Sequence, residues 1–146
     1  MASPVDIGPL AVNGQLEAIV VDPVGDAPTN VIRRSDPFRV DCRWFLDGPL
    51  APTLGGQWRV ELLGEGQGPA IEIEVPAPAL IALDGRTGPG TPYTTSFNIP
   101  ANSVNLLGRP QAVLDLTVAL TYIDVAGNPG PLAAFVDLDK VMVFED

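Results

Sequence analysis

The sequence predicts an all-β fold: a single domain of seven to nine short antiparallel strands in two facing layers. Three observations carry this. Apolar residues recur at every second position through most of the chain, the spacing of half-buried strands. None of the 16 prolines lies inside those runs, where a missing N–H would break a ladder. No amphipathic helical pattern extends beyond about two turns. With turns every ~8–14 residues, such spacing fits a sandwich or barrel. A length of 146 residues suffices for one domain with a real core.

Residues 1–14 read as an extended, proline-containing arm, suited to pair on an edge strand of this molecule or of another. Residues 15–146 form the domain. GQLEAIVV and TNVIR supply its first one or two strands. PFRVDCRWFL places Phe38, Val40, Cys42, Trp44 and Leu46 on one face and Arg39, Asp41 and Arg43 on the other. GQWRVELLG sets Trp58, Val60 and Leu62 against Arg59 and Glu61, and PAIEIEV sets Ile71, Ile73 and Val75 against Glu72 and Glu74. ALIAL is a short apolar strand. TPYTTSFNI aligns Tyr93, Thr95, Phe97 and Ile99, and QAVLDLTVALTYID aligns Leu114, Leu116, Val118, Leu120 and Tyr122. PLAAFVDLDKVMVF closes the series. DGPLAPTLGG, GEGQG and DGRTGPG read as glycine-rich tips. ANSVNLLG is the segment suited to a helical turn.

Composition excludes several chemistries. The chain has no histidine, so the commonest general base, metal ligand and neutral-pH switch are missing together. One cysteine, Cys42, allows neither an intrachain disulfide nor a thiolate zinc site. A formal charge of −10 repels nucleic acid and anionic lipid. No apolar run reaches the ~18 residues of a membrane span. No signal peptide is visible at the N-terminus, and the cytoplasm is favoured over export. The expectation is a protein that is not an enzyme and needs no cofactor.

The segment TYIDVAGNPGPLAAF, with Asp124, Ala126, Gly127 and Asn128 at the turn, resembles the last hairpin of bacterial immunoglobulin-like repeats. YTTSFNIPANSV resembles the strand and corner before it. The resemblance implies an immunoglobulin-like β-sandwich. Cys42 and Trp58 suit the second-strand cysteine and third-strand tryptophan of that class, but no second cysteine follows.

Five features invite a functional reading. Asp124 and Asn128 at the hairpin tip are either a plain turn or ligands of Ca²⁺, which takes six to eight oxygens; Asp22, Asp26, Asp47 and Asp84 are the other loop acids suited to complete such a site. Asp137 and Asp139 share one face of the last strand run, as a carboxylate pair or as a solvated face. Arg39 and Arg43 are set to face Glu61, Glu72 and Glu74 in a surface ladder if their strands are neighbours. Trp44 and Trp58 are phased for the core rather than for sugar stacking. Cys42 reads as a small buried residue.

Phe45, Leu63, Phe135, Val141 and Val143 fall out of phase with their strands, together with Val113 and Ile123. A sheet apolar on both faces is covered by something or adhesive. The expected function is therefore a non-catalytic interaction or structural module within a larger assembly, with a protein partner or self-association. A Ca²⁺-dependent adhesion or carbohydrate-binding module is the alternative.

Overall fold

The computed structural model describes residues 2–4, 13–22, 28–67, 71–138 and 140–145. Its strands are β1 (Ala2–Pro4), β2 (Asn13–Val21), β3 (Val31–Arg33), β4 (Phe38–Asp47), β5 (Gln57–Gly66), β6 (Glu72–Ile73), β7 (Ala79–Ala82), β8 (Tyr93–Ile99), β9 (Val104–Asn105), β10 (Gln111–Ile123), β11 (Pro129–Asp137) and β12 (Val141–Phe144). The fold is all-β, with more and shorter strands than the predicted seven to nine. The helical turn falls at Ala51–Thr53, not in ANSVNLLG. That segment instead makes a turn and then β9, which pairs with β6.

Two sheets pack face to face. One has the order β1-β2-β4-β8. The other runs β3-β12-β10-β5-β7, and β11 also pairs with β10. β10 is the spine of the second sheet. Its residues Leu114–Ile123 lie against β5 on one flank. On the other flank β12 takes its start and β11 the remainder. β3 joins β12 in parallel, a departure from the expected antiparallel order that no local pattern signals. Within the arm, β1 pairs with Gln15–Glu17 of β2 in the same molecule.

The core is what alternation foretells. Phe38, Val40, Cys42, Trp44 and Leu46 of β4 are buried against Trp58, Val60 and Leu62 of β5 and the even-numbered residues of β10 from Ala112 to Tyr122. Burying each large side chain contributes roughly 1.5–3 kcal/mol. Trp44 stacks on Tyr93, with ring centroids 5.9 Å apart, and meets Trp58 edge-on at 6.3 Å. Because Trp44 and Tyr93 belong to one sheet and Trp58 to the other, this cluster ties the layers together.

Two local irregularities depart from the sequence reading. Across β10, Thr117 faces Asp137 but Leu114 faces Val141. Three steps on one strand match four on the other, so one extra residue lies between β11 and β12, as in a bulge. Parity flips there. Leu132, Ala134, Val136 and Leu138 point inward, and so do Val141 and Val143, at 0% and 1% exposure. The expectation that Val141 and Val143 lie on an outward apolar face is thereby corrected. The second irregularity is GEGQG. Its Gly64 and Gly66 continue β5 rather than forming a tip. A Cβ on Gly66 would lie 2.2 Å from the Ile71 side chain, and one on Gly64 2.6 Å from Ile73. The bare backbone lets Ile71 and Ile73 close that end of the core.

Candidate interaction surface

The hairpin tip is engaged in its own turn. Asp124 Oδ1 accepts the backbone N–H groups of Ala126 and Asn128 at 3.0 and 2.9 Å. The Asp124 N–H donates to Asn128 O, and Gly127 N–H to Asp124 O. Gly127 has φ +86°, the left-handed conformation that glycine adopts without strain. The carboxylate is therefore the organiser of an Asx-type turn. Asp124→Ala should cost about 1–2 kcal/mol in urea unfolding, since two backbone donors lose a charged acceptor; Asp124→Asn should cost less.

Two of the other acids named for a cation site are engaged elsewhere. Asp47 accepts the N–H of Gly48. Asp84 is clamped by Arg86, with contacts of 2.6 to 3.1 Å. Asp26 and Asp139 lie outside the described residues. Asp137 accepts a hydrogen bond from Thr117 Oγ1 at 2.8 Å. Among the described residues no three His, Cys, Asp or Glu side chains gather to hold a metal ion.

Arg86 also lies over the Tyr93 ring, 4.6 Å from its centre. Its hydrogen bonds hold the Asp84 carboxyl down at about 2. A folded-state value below the unfolded one adds stability above the ordinary carboxylate range and loses it as pH falls toward about 2. Asp84→Asn should lower the melting temperature at neutral pH, with an effect that shrinks as pH falls below the ordinary carboxylate range and vanishes below about 2. Thermal melts across that range check this.

The two cores of reactive chemistry left in the sequence are closed. Trp44 and Trp58 are both 0% exposed, so neither offers a platform for a sugar. Cys42 is buried, and burial first, then Asp41, pushes its thiol up to about 12. It should resist thiol reagents at pH 8 in the folded state and react only on unfolding; kinetics with a chromogenic disulfide would read this directly.

The charged ladder is rearranged. Arg39 and Arg43 sit on the four-stranded sheet and Glu61 on the other, so they do not meet. Arg43 pairs instead with Glu17 at 3.1 Å and Arg39 with Asp41 at 2.7 Å. Ser96 Oγ donates to the same Asp41 oxygen. Glu61 lies 4.0 Å from Arg59 of its own strand. Glu72 lies in β6 and Glu74 directly follows it. A shallow trough of about 510 Å³ crosses the four-stranded sheet between Glu17, Asp41, Arg43 and Ser96. Both its carboxylates are ion-paired.

The outer face of the six-stranded sheet is different. Five of the ten exposed large apolar side chains among the described residues lie there: Val31, Leu63, Leu80, Phe135 and Met142. Phe135, at 64% exposure, stands beside Ala119 of β10, whose other neighbour is Glu61. Leu63 is one row away, beside Thr117. Leu80 lies on the same face beside Arg59, with the Arg59–Glu61 pair between it and Leu63. Val31 and Met142 are direct cross-strand neighbours at the other end. Between the two groups lies a polar row in which Asp115 takes Lys140 Nζ at 2.7 Å and Gln67 Nε2 at 3.1 Å.

Comparison with protein-family models, with curated proteins and with solved structures finds no match for this chain.

Of the five predicted contact residues, Leu63 and Phe135 come together on this face. Phe45 is half-buried on the outer face of the opposite sheet, and Val141 and Val143 are core. Leu80, Val31 and Met142 were missed. Val31 and Leu80 lie in strands of three and four residues, too short to fix a phase, and Met142 counts as inward from Leu132 until the extra residue turns it out. No described helix is long and apolar enough to cross a membrane.

Proposed function

We propose that this chain is a non-catalytic protein-interaction or structural module, immunoglobulin-like in topology, serving as a component of a larger assembly. The observation that carries the reading is the outer face of the six-stranded sheet. An apolar group at Leu63, Phe135 and Leu80 on an otherwise acidic molecule is the kind of surface that protein partners cover. The topology supports the family reading. The orders β2-β4-β8 and β12-β10-β5-β7 follow the A-B-E and G-F-C-C′ arrangement of immunoglobulin sandwiches, with Trp58 on the third strand of that scheme.

The test compares wild type with Leu63→Glu/Phe135→Glu. The wild-type chain should co-purify from its source with a stoichiometric protein companion, and the variant should lose it while keeping its melting temperature. A companion that persists in the variant would overturn the assignment of this face. So would a wild-type chain that captures none.

A further inference from the structure

We propose that β8 is an edge through which two copies of this chain pair, antiparallel, about a two-fold axis at Ser96. The inference extends the reading of the chain as an interaction module to a second surface, independent of the apolar face.

Natural sheets protect their open edges with charges, prolines, bulges or brevity. The other edges here follow that rule. β1 has three residues and includes Pro4. β3 has three residues, bears Arg33 and is followed by Arg34. β7 has four residues, preceded by Pro76 and Pro78. β11 contains Pro129 and Pro131 and a register shift, and its free side packs near β1 and β2.

β8 has none of these devices. Its seven residues, YTTSFNI, contain no charge, proline or glycine. Its register against β4 is unbroken from Trp44–Tyr93 to Phe38–Ile99. Among the described residues no strand lies on its other side. Among the described residues no loop bonds to the backbone of Tyr93–Ile99, so its outward N–H and C=O groups have no partner there.

The occupant that fits is a second copy. Pairing about Ser96 sets Ser96 against Ser96, Thr94 against Asn98 and Thr95 against Phe97. Hydroxyl and amide partners meet on the outer face, where Thr94, Ser96 and Asn98 are exposed. On the inner face, half-buried Thr95 lies beside the backbone of Phe97 of the other copy, whose ring stays in its own core. No like charges are placed opposite one another, although each chain carries −10. The two four-stranded sheets become one continuous sheet, an isologous two-fold contact.

The experiment is sedimentation combined with cysteine cross-linking. Wild type should be a dimer at high micromolar concentration. Ser96→Lys brings two ammonium groups together at the axis and should weaken the dimer several-fold; next to Asp41 the lysine keeps a local partner, and the melting temperature verifies folding. Ser96→Cys should form a disulfide-linked dimer quickly on mild oxidation, since opposed residues in antiparallel strands stand about 4.5–5.5 Å apart at Cα. Asn98→Cys, off the axis, should not. A monomeric wild type overturns the proposal. So does a dimer indifferent to Ser96→Lys, or one in which Asn98→Cys links as readily as Ser96→Cys. A dimer lost instead in Leu63→Glu/Phe135→Glu would assign self-association to the apolar face and reject the edge.

Discussion

Trp58→Ala should destabilise the protein by about 3–5 kcal/mol, the range for removing a fully buried aromatic. The residue is 0% exposed. Its ring centroid lies 6.0 to 6.3 Å from those of Trp44, Tyr93 and Tyr122. Two of these neighbours belong to the opposite sheet, so the substitution hollows the contact between layers. Surrounding strands are held in place by their ladders and relax little into the gap. Urea unfolding followed by far-UV circular dichroism would measure the loss. Trp58→Phe should cost much less. Among the described residues the indole N–H of Trp58 has no acceptor, so phenylalanine gives up packing volume but no hydrogen bond to them.

Gly56→Ala should cost about 3 kcal/mol, combining strain and overpacking. Gly56 has φ +103°, and a Cβ there would lie 2.2 Å from the carbonyl oxygen of Ile123. That oxygen is backbone at the end of β10, beside the hairpin tip. It cannot rotate away as a side chain does. Gly56 also accepts the N–H of Leu83, and the neighbouring Gly55 carbonyl accepts the Tyr122 hydroxyl, so the loop is fixed from three sides. Gly127→Ala supplies the comparison. Its φ is +86° but nothing lies within 4 Å of the added carbon, leaving only the cost of the left-handed conformation, about 1 kcal/mol. Equal losses at the two positions would mean that the close approach at Gly56 is unimportant.

Alternation made the core legible because a strand's two faces differ in what touches them. Phe38 to Leu46, Trp58 to Leu62 and Leu114 to Tyr122 are buried as their spacing predicts. What alternation lacks is any account of who lies beside whom. Arg39, Arg43 and Glu61 share a pattern but not a sheet, and the parallel pairing of β3 with β12 has no local trace. Parity also fails wherever one residue is inserted. From Leu138 to Val141 the apolar spacing is three, so Val141 and Val143 look outward-facing to a count that began at Leu132. Phe135, by contrast, was legible as a surface residue because it precedes the slip. The hairpin tip offered two readings because Asp and Asn suit both turns and cations; the two short bonds from Asp124 to backbone donors describe the turn.

The parallel contact between Val31–Arg33 and Met142–Phe144 has a consequence for biosynthesis. β3 is made early and, among the described residues, has β12 as its one strand partner, so it must wait unpaired until a segment from far down the message has left the ribosomal tunnel. Local hairpins such as β10–β11 can close as they emerge, but this seam closes only by a long search. During translation Val31 and Ile32 thus stay without their strand partner until Met142 and Val143 have emerged.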